Sequence, residues 1–478
     1  MERILSAEQM RTADKFTIEK LGVPEDALVE RAGNAVAEVI KRRFKGGRVL
    51  VCIGKGNNGA DGKVVADVLS KVHGFSVATL NVGTAMLRMF DRKFDIIVDC
   101  IFGTGLNKEV NGVNKTVIEK INSHGAFVVS CDIPSGLNSN NGIVMGVAVK
   151  ANLTVAIQEY KLGHFLNDGP DFTGEIVCKD IGISVWEEDC AKRISPFTVA
   201  KFFSNRKRNT HKGCFGSACV IGGSKEYTGS IILSSNALSS LKMGVGYSAL
   251  AVPKSMFNTY VGKVPECLLY PFNDVDNSLM LEEENVSKIL SFNSIAIGMG
   301  MTVKNGVYQT IKYLVENYSG NLIIDADGLN SISEFGLEIF KNKKANVIIT
   351  PHVGEFSRLT GVPKQEILLN SISLAKDFAS KHGVIVVLKS SASVITDGHD
   401  VYINTTGCSG LAKAGSGDVL SGIIAGITAR SEDVFQAVVA SCYIFGKAGE
   451  KAERNQNAFT ITASDVISAL PSVINELD

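Results

Sequence analysis

Apolar positions along this chain recur with two periods. Residues 7–44 carry them three and four apart, the spacing of a helix with one buried face. Ser6 stands where an N-cap belongs, and Gly22, Val23 and Pro24 divide the stretch into two helices. The run R-V-L-V-C-I at 48–53 reads as a buried strand and passes through a glycine-rich turn into a helix over 63–71. Strands at 75–80, 94–100 and 127–131 repeat the pattern. Between 183 and 212 the texture changes to a connector with Trp186, acidic residues and a basic run, but no long Gly/Ser or Pro tract. The alternation then resumes. Strands are predicted at 217–221, 294–297, 322–324, 346–349 and 384–388. Between and after them come a small-residue helix over 230–242, a further strand after 244, a hairpin at 394–398 and a helix over 419–429. Strands alternating with helices predict an α/β protein, here two three-layer α/β/α domains. The compact connector predicts halves packed on each other or within an oligomer.

The length of 478 residues fits that division. Basic and acidic residues balance at 49 each, so nothing global favours nucleic acid or an acidic membrane surface as partner. The basic cluster Arg206, Lys207, Arg208, His211 and Lys212 reads as a solvated face of the connector. Ten cysteines form no C-x-x-C pair, and several lie inside apolar runs such as V-L-V-C-I, as free thiols in a reducing compartment do. The N-terminal residues lack a signal-peptide apolar region, and no run approaches the ~20 apolar residues of a membrane helix. A cytoplasmic protein is expected, with a homo-oligomer as the default association.

Candidate chemistry collects at the predicted strand ends, where ligands of parallel α/β sheets bind. After 48–53 comes G-K-G-N-N-G-A-D-G, which has neither dinucleotide-fingerprint spacing nor the G-K-[ST] of a P-loop. Asn57, Asn58 and Asp61 offer oxygens as well as donors, so a cation and a phosphate are both open. Asp99 and Asp132 could cap turns. Together with Asn58 and Ser135 they instead outline a site, and one carboxylate among neutral oxygens suits a weakly held hard cation. In the second half, residues 404–422 read N-T-T-G-C-S-G-L-A-K-A-G-S-G-D-V-L-S-G, with Asp418 at the predicted start of a helix behind glycine amides. A helix N-terminus suits an anion, and a carboxylate beside it suits proton transfer. His352 in a polar turn reads as a ligand contact, Asp325 and Asp327 as secondary candidates, and Cys408 as no nucleophile, since no His/Asn partner pattern accompanies it.

These residues carry a resemblance. S-A-E-Q-M-R-T-A-D, L-V-E-R-A-G, G-K-G-N-N-G-A-D-G, D-C-I-F-G-T-G-L, D-I-P-S-G-L and K-L-G-H, in this order, resemble the Rossmann-like epimerase domain of NAD(P)H-hydrate repair enzymes. The resemblance implies an epimerase domain over 1–190, with Asn58, Asp99 and Ser135 holding K+. It implies that Asn57, Asn58, Gly59, Ala60 and Asp61, then Gly103, Thr104, Gly105, Leu106, Asn107, Lys108 and Glu109, and Asp132 hold the hydrated nicotinamide nucleotide. Asp132 would also be catalytic. Ala60 stands where the family has glycine.

V-I-G-G-S-K-E-Y-T-G, D-A-D-G-L-N, T-P-H-V-G-E-F and A-G-S-G-D-V-L-S-G resemble the ribokinase-like ADP- or ATP-dependent NAD(P)H-hydrate dehydratases, so the whole order is that of the bifunctional repair enzymes. Over 198–478 this implies that Ser230, Gly300, His352 and Asp418 face the hydrate, with Asp418 catalytic. Lys389, Ser390, Ser391, Ala392 and Ser393, with Cys408, Ser409, Gly410, Leu411, Ala412, Lys413, Ala414, Gly415, Ser416 and Gly417, would hold ADP or ATP, with Mg2+. Ser230, Ser390 and Cys408 stand where the family has alanine, glycine and asparagine. The implied reactions are epimerisation of the R and S hydrates of NADH and NADPH (NADHX and NADPHX) and dehydration of the S form, by phosphoryl transfer to its hydroxyl followed by elimination. The competing expectation is a ribokinase-like small-molecule kinase whose first half is a non-catalytic binding module.

Overall fold

The computed structural model describes residues 2–83, 87–185, 190–203, 206–239, 243–275, 278–281 and 283–477; Trp186 and the 240–242 end of a predicted helix lie outside them. The chain divides into two compact units, Met1–Lys192 and Arg193–Asp478.

In the first unit, six parallel strands lie in the order Phe75–Asn81, Gly47–Ile53, Ile96–Cys100, Phe127–Cys131, Leu153–Ile157, Glu175–Lys179. The runs L-T-V-A-I and E-I-V-C-K extend the sheet beyond the strands that the pattern predicts. Along Gly47–Ile53, Val49, Val51 and Ile53 join a core with Met10, Leu28, Ile40 and Leu69, while Leu50 and Cys52 join another with Ile97, Ile118 and Ile121. Successive side chains of a strand point to opposite faces, so two cores mean a sheet covered on both sides. The helices Ala7–Glu19, Glu25–Arg43 and Asn57–Ser70 supply one cover and Gly112–Ser123 the other. Ser6 caps the first of these as its sequence suggests: Gln9 N–H donates to Ser6 Oγ at 3.1 Å and Ser6 N–H to Gln9 Oε1 at 2.9 Å.

From Gly47–Ile53 the chain turns first to Phe75–Asn81 on one side, then to Ile96–Cys100 on the other. At such a reversal the strand C-termini part and leave a crevice. The helix over it begins at Asn57, six residues before the expected 63. The glycines explain the difference. A Cβ at Gly54 would lie 1.9 Å from Ile101 O, and one at Gly59 would lie 2.1 Å from Gly54 O. They serve close approach of helix to strand end rather than a long turn.

In the second unit, parallel strands run from Leu268–Phe272 through Tyr247–Pro253, Ser217–Ile221, Ser294–Ile297, Asn321–Ile324 and Asn346–Ile349 to Ile385–Leu388. The predicted hairpin, Ser393–Thr396 with Val401–Asn404, adds two antiparallel strands. Ala218, Val220, Ala296 and Ile323 face a core with Val419, Leu420, Ile423 and Ile427 of the helix Ser416–Thr428. Ile295, Ile297, Leu322 and Ile324 are equally buried on the other face. Ser416–Thr428 lies against Thr228–Leu238 at Gly422, where a Cβ would come 2.1 Å from Ser234 O. Among the described residues no helix is long and apolar enough to cross a membrane.

Gly54→Ala is expected to destabilise the first unit by about 1–3 kcal/mol or more, the range for overpacking a tight contact. An earlier urea unfolding transition would register it; an unchanged midpoint would show that the Ile101 backbone yields.

Candidate active sites

A cavity of about 620 Å³ opens over the reversal in the first unit. Asn57, Asn58, Asp61, Gly103, Thr104, Gly105, Leu106, Asn107, Lys108 and Asp132 line it, as do Asp14, Glu25 and Lys161, which sequence reasoning left without a role. Asp14 closes the S-A-E-Q-M-R-T-A-D motif and Lys161 opens K-L-G-H, so the signal was present in the motifs themselves. Gly59, Ala60 and Glu109 do not line the cavity. Gly59 is turned to Gly54, Glu109 is exposed, and the Ala60 methyl adds nothing to the wall.

Asn58, Asp99 and Ser135 come together around the Phe102 backbone. Asn58 Nδ2 donates to Phe102 O at 2.8 Å; Ser135 Oγ accepts the Phe102 N–H at 2.8 Å and lies 3.1 Å from its carbonyl. Asp99 is wholly buried. Its oxygens accept from Ile101 N–H (3.2 Å), Ser135 Oγ (2.6 Å), Ser130 Oγ (2.8 Å) and Ser135 N–H (2.9 Å). Burial raises its carboxyl above the usual range, against the pull of those donors, Ser135 foremost. Asn58 Oδ1 is buried with no hydrogen-bond partner. An orphaned amide oxygen beside a carbonyl, a hydroxyl and a carboxylate fits a large monovalent cation. Among the described residues no group of three or more His, Cys, Asp and Glu side chains is placed to hold a metal ion.

Asp132 follows Phe127–Cys131 with φ 67°, a conformation rare outside glycine. Three contacts hold it there. Lys161 Nζ pairs with Asp132 Oδ1, which also accepts Ile157 N–H at 3.2 Å. His164 Nδ1 accepts Lys161 N–H at 3.1 Å, so Nε2 carries the proton and donates to Asp132 O at 2.8 Å. Burial, then the Lys161 charge, hold the His164 ring down at about 4, which keeps it neutral. Lys161 itself is 1 % exposed and donates to Ile157 O at 2.6 Å.

In the second unit Asp418 is the third residue of Ser416–Thr428, not the residue before it, and Gly415 (φ 90°) is the N-cap. First-turn amides lack partners inside their helix and carry its positive end. Burial, then the Asp325 charge, push the Asp418 carboxyl up to about 6, against a hydrogen bond from Ser230 and the Lys389 charge. Ser230, where the resembled family has alanine, thus touches the carboxylate itself. Gly300 (φ 61°) lies against Tyr227 and Ser230: a Cβ there would be 2.8 Å from Tyr227 and 3.3 Å from Ser230. His352 is half-exposed and caps Val353–Thr360, its Nδ1 accepting Gly354 N–H (2.9 Å) and Glu355 N–H (3.2 Å).

Lys389 is committed within the protein. Its Nζ pairs with Asp325 Oδ1 at 2.8 Å, while Ser421 Oγ donates to Asp325 Oδ2 at 2.8 Å. Burial alone would raise the Asp325 carboxyl; the Lys389 charge and these hydrogen bonds outweigh it and hold the carboxyl below its usual range. Gly417 lies over this pair, where a Cβ would sit 3.2 Å from Lys389 Nζ and 3.4 Å from Asp325 Oδ2. Asp327 accepts Thr302 N–H at 2.8 Å. In the expected nucleotide cradle, Ser391, Ser409, Ala412, Lys413 and Ala414 are exposed, whereas Ala392 and Gly410 are buried and can offer backbone only. Ser390 Oγ donates to Ala392 O at 2.7 Å, and Lys413 Nζ holds Phe459 O (2.8 Å) and Ile461 O (2.7 Å). Burial and Glu453 raise the Cys408 thiol, as suits a residue that is no nucleophile.

A covered parallel sheet with its site at the strand reversal, followed by a unit whose late helix N-terminus bears a carboxylate, defines a two-unit α/β enzyme with a ribokinase-like second half. The ADP/ATP-dependent NAD(P)H-hydrate dehydratase of Bacillus subtilis, a crystal structure with ATP/Mg2+, aligns with 60% of this chain and 99% of its own at 26% identity and TM-score 0.53. A ribokinase-like superfamily protein of Enterococcus faecalis shares the fold, at TM-score 0.53 and 23% identity over 62% of this chain and 98% of its own. A family model described as NAD(P)H-hydrate dehydratase matches residues 218–472, and one described as YjeF-related protein N-terminus matches 25–89 and 77–163. The bifunctional NAD(P)H-hydrate repair enzyme Nnr of Thermofilum pendens is 32% identical over 99% of this chain and 97% of its own, and that of Pyrobaculum aerophilum 31% over 99% and 98%. The chain belongs to the family of bifunctional NAD(P)H-hydrate repair enzymes.

Asp325→Asn leaves Lys389 buried without its counter-charge, and a loss of about 3–5 kcal/mol is expected. Urea denaturation measures it. Adding Lys389→Met should recover part of the loss, because the stranded charge leaves with the lysine.

Proposed function

We propose that the first unit, about 1–190, interconverts the R and S hydrates of NADH and NADPH, and that the second, 198–478, dehydrates the S form at the expense of ADP or ATP. The observation that carries this reading is Asp418 in the first turn of Ser416–Thr428, beside first-turn amides that lack partners inside their helix. Hydroxide is a poor leaving group; a phosphate ester is a good one. Asp418 takes the proton of the hydrate hydroxyl as it attacks the terminal phosphorus of the nucleotide. The amides of 415–417 receive the transferring phosphate, and elimination then restores the nicotinamide double bond. Gly300, Ser230 and His352 face the hydrate, and the exposed parts of 389–393 and 408–414 face the nucleotide. The Bacillus subtilis structure with ATP/Mg2+ supports nucleotide and Mg2+ here; bound Mg2+ would neutralise phosphate charge. In the first unit Asn58 Oδ1, Phe102 O and Ser135, backed by Asp99, would hold K+, which would supply a fixed positive charge under the ligand.

Incubating mixed hydrate epimers with ADP and ATP separately should restore the near-ultraviolet absorbance of the reduced nicotinamide with at least one of them. A stable phosphate ester and no such absorbance would instead favour a small-molecule kinase. Asp418→Asn should lower the dehydration rate by roughly 10²–10⁴-fold. A base must be ionised, and Asp418 is raised to about 6, so the wild-type rate should fall about tenfold per pH unit below that point and level off above it.

A further inference from the structure

The cavity of the first unit is lined by four carboxyls, Asp14, Glu25, Asp61 and Asp132, and by the cations Arg11, Lys55, Lys108 and Lys161. Of these, the Lys161 ammonium is spoken for by Asp132 Oδ1 and Ile157 O. Asp132 keeps its other oxygen toward the cavity floor, where a Cβ at Gly103 would lie 3.7 Å from Oδ2. Asp61, on the second turn of Asn57–Ser70, is 9 % exposed. Its side-chain hydrogen-bond partner is the Cys131 thiol, at 3.9 Å from Oδ2, and among the described residues no cation pairs with it.

The groups facing Asp61 from its neighbours are Asp14 on Ala7–Glu19, Asp132 and Cys131 at the end of Phe127–Cys131, Cys100 on the adjacent strand, and Lys161. Glu25 faces Asp14 and accepts from Asn57 at 3.1 Å. A buried carboxyl among other carboxyls, without a cation of its own, retains its proton. Burial, then the Asp132 charge, push Asp61 up to about 8, with Cys131 and Lys161 opposing only in part. Two carboxyl groups in one cavity, one protonated and one ion-paired, are the equipment of acid–base catalysis.

We propose that Asp61 is the general acid of epimerisation and Asp132, through Oδ2, the general base, acting on a hydrate ring seated over Gly103. This rests on the epimerase reading of the first unit. The hydrate carbon bears a hydroxyl and the ring nitrogen. Asp132 takes the hydroxyl proton, the carbon–oxygen bond becomes a carbonyl, and the carbon–nitrogen bond breaks with its electron pair passing to nitrogen. Asp61 delivers its proton to that nitrogen. Rotation of the freed aldehyde presents its other face; nitrogen adds back, returning its proton to Asp61, and Asp132 returns its proton to oxygen. Atoms and charge balance without any co-reactant.

The test follows exchange between separated R and S hydrates by chromatography, on the full chain with nucleotide omitted, from pH 6 to 10. The wild-type rate should fall above about pH 8 as Asp61 loses its proton. Asp61→Asn should exchange epimers roughly 10²–10⁴-fold more slowly, while calorimetry finds hydrate affinity within a few-fold of wild type. A variant that keeps the wild-type rate and its fall above pH 8 overturns the assignment. Should the variant lose hydrate binding too, the wild-type profile decides: a rate flat to pH 10 overturns it and a fall near 8 supports it. A wild type that exchanges no epimers takes down the epimerase reading, and the assignment with it.

Discussion

The buried contact between Lys389 and Asp325 holds the second site in shape. An ammonium and a carboxylate taken out of water persist only if each finds enough partners to replace it. Asp325 finds them in Lys389 and in Ser421, which belongs to the same helix as Asp418. Asp325 follows the strand Asn321–Ile324 and Lys389 follows Ile385–Leu388, so one charge pair joins two strand ends to one helix start. Gly417 rests on the pair, and a Cβ there would press on Lys389 Nζ at 3.2 Å. The first-turn amides of Ser416–Thr428 are thus placed by a charge network beneath them. That network also reaches Asp418: burial and then Asp325 raise its proton affinity toward neutrality, where a base works best.

The first unit uses a second Lys–Asp pair differently. Lys161 pins Asp132 in a left-handed backbone conformation, and His164 holds the Asp132 carbonyl, so the carboxylate enters the cavity from a fixed base. Among the described residues no cation pairs with Asp61, which stands near the Lys161–Asp132 pair without belonging to it. The two sites therefore place unequal carboxyls side by side by the same means, one stabilised by an ammonium and the other left to burial.

Much of this was legible in the sequence because strand ends announce themselves. The runs before Asp99, Asp132, Asp325 and Lys389 are short, apolar and closed by a polar or glycine residue, and the structure gathers each set at one sheet edge. What was not legible depends on contacts between distant segments. Gly54 and Gly59 look like turn residues until Ile101 is seen to press on the first and Gly54 on the second, so the helix start at Asn57 was hidden. His352 reads as a ligand contact in a polar turn; that its imidazole also caps a helix follows only from the two amides aimed at it. Ser230 reads as a departure at a ligand-facing position, and only the fold brings it to Asp418. Asp14 and Lys161 lie in quoted motifs yet lacked a role, because the cavity they share is built from segments more than a hundred residues apart in the chain.

Within the proposed division of labour the two sites differ in what they can drive. Acid–base catalysis between hydrate epimers leaves their equilibrium where it was, however fast the exchange. Direction comes only from the step that consumes a nucleotide and removes one epimer. A site selective for the S form would by itself strand the R form, and a site that exchanges epimers would by itself repair nothing. The first site therefore needs speed without an energy source, which a cavity with a proton donor and a proton acceptor provides. The second needs a leaving group that water cannot give, and a helix N-terminus over a buried ion pair can bind the phosphate that makes one.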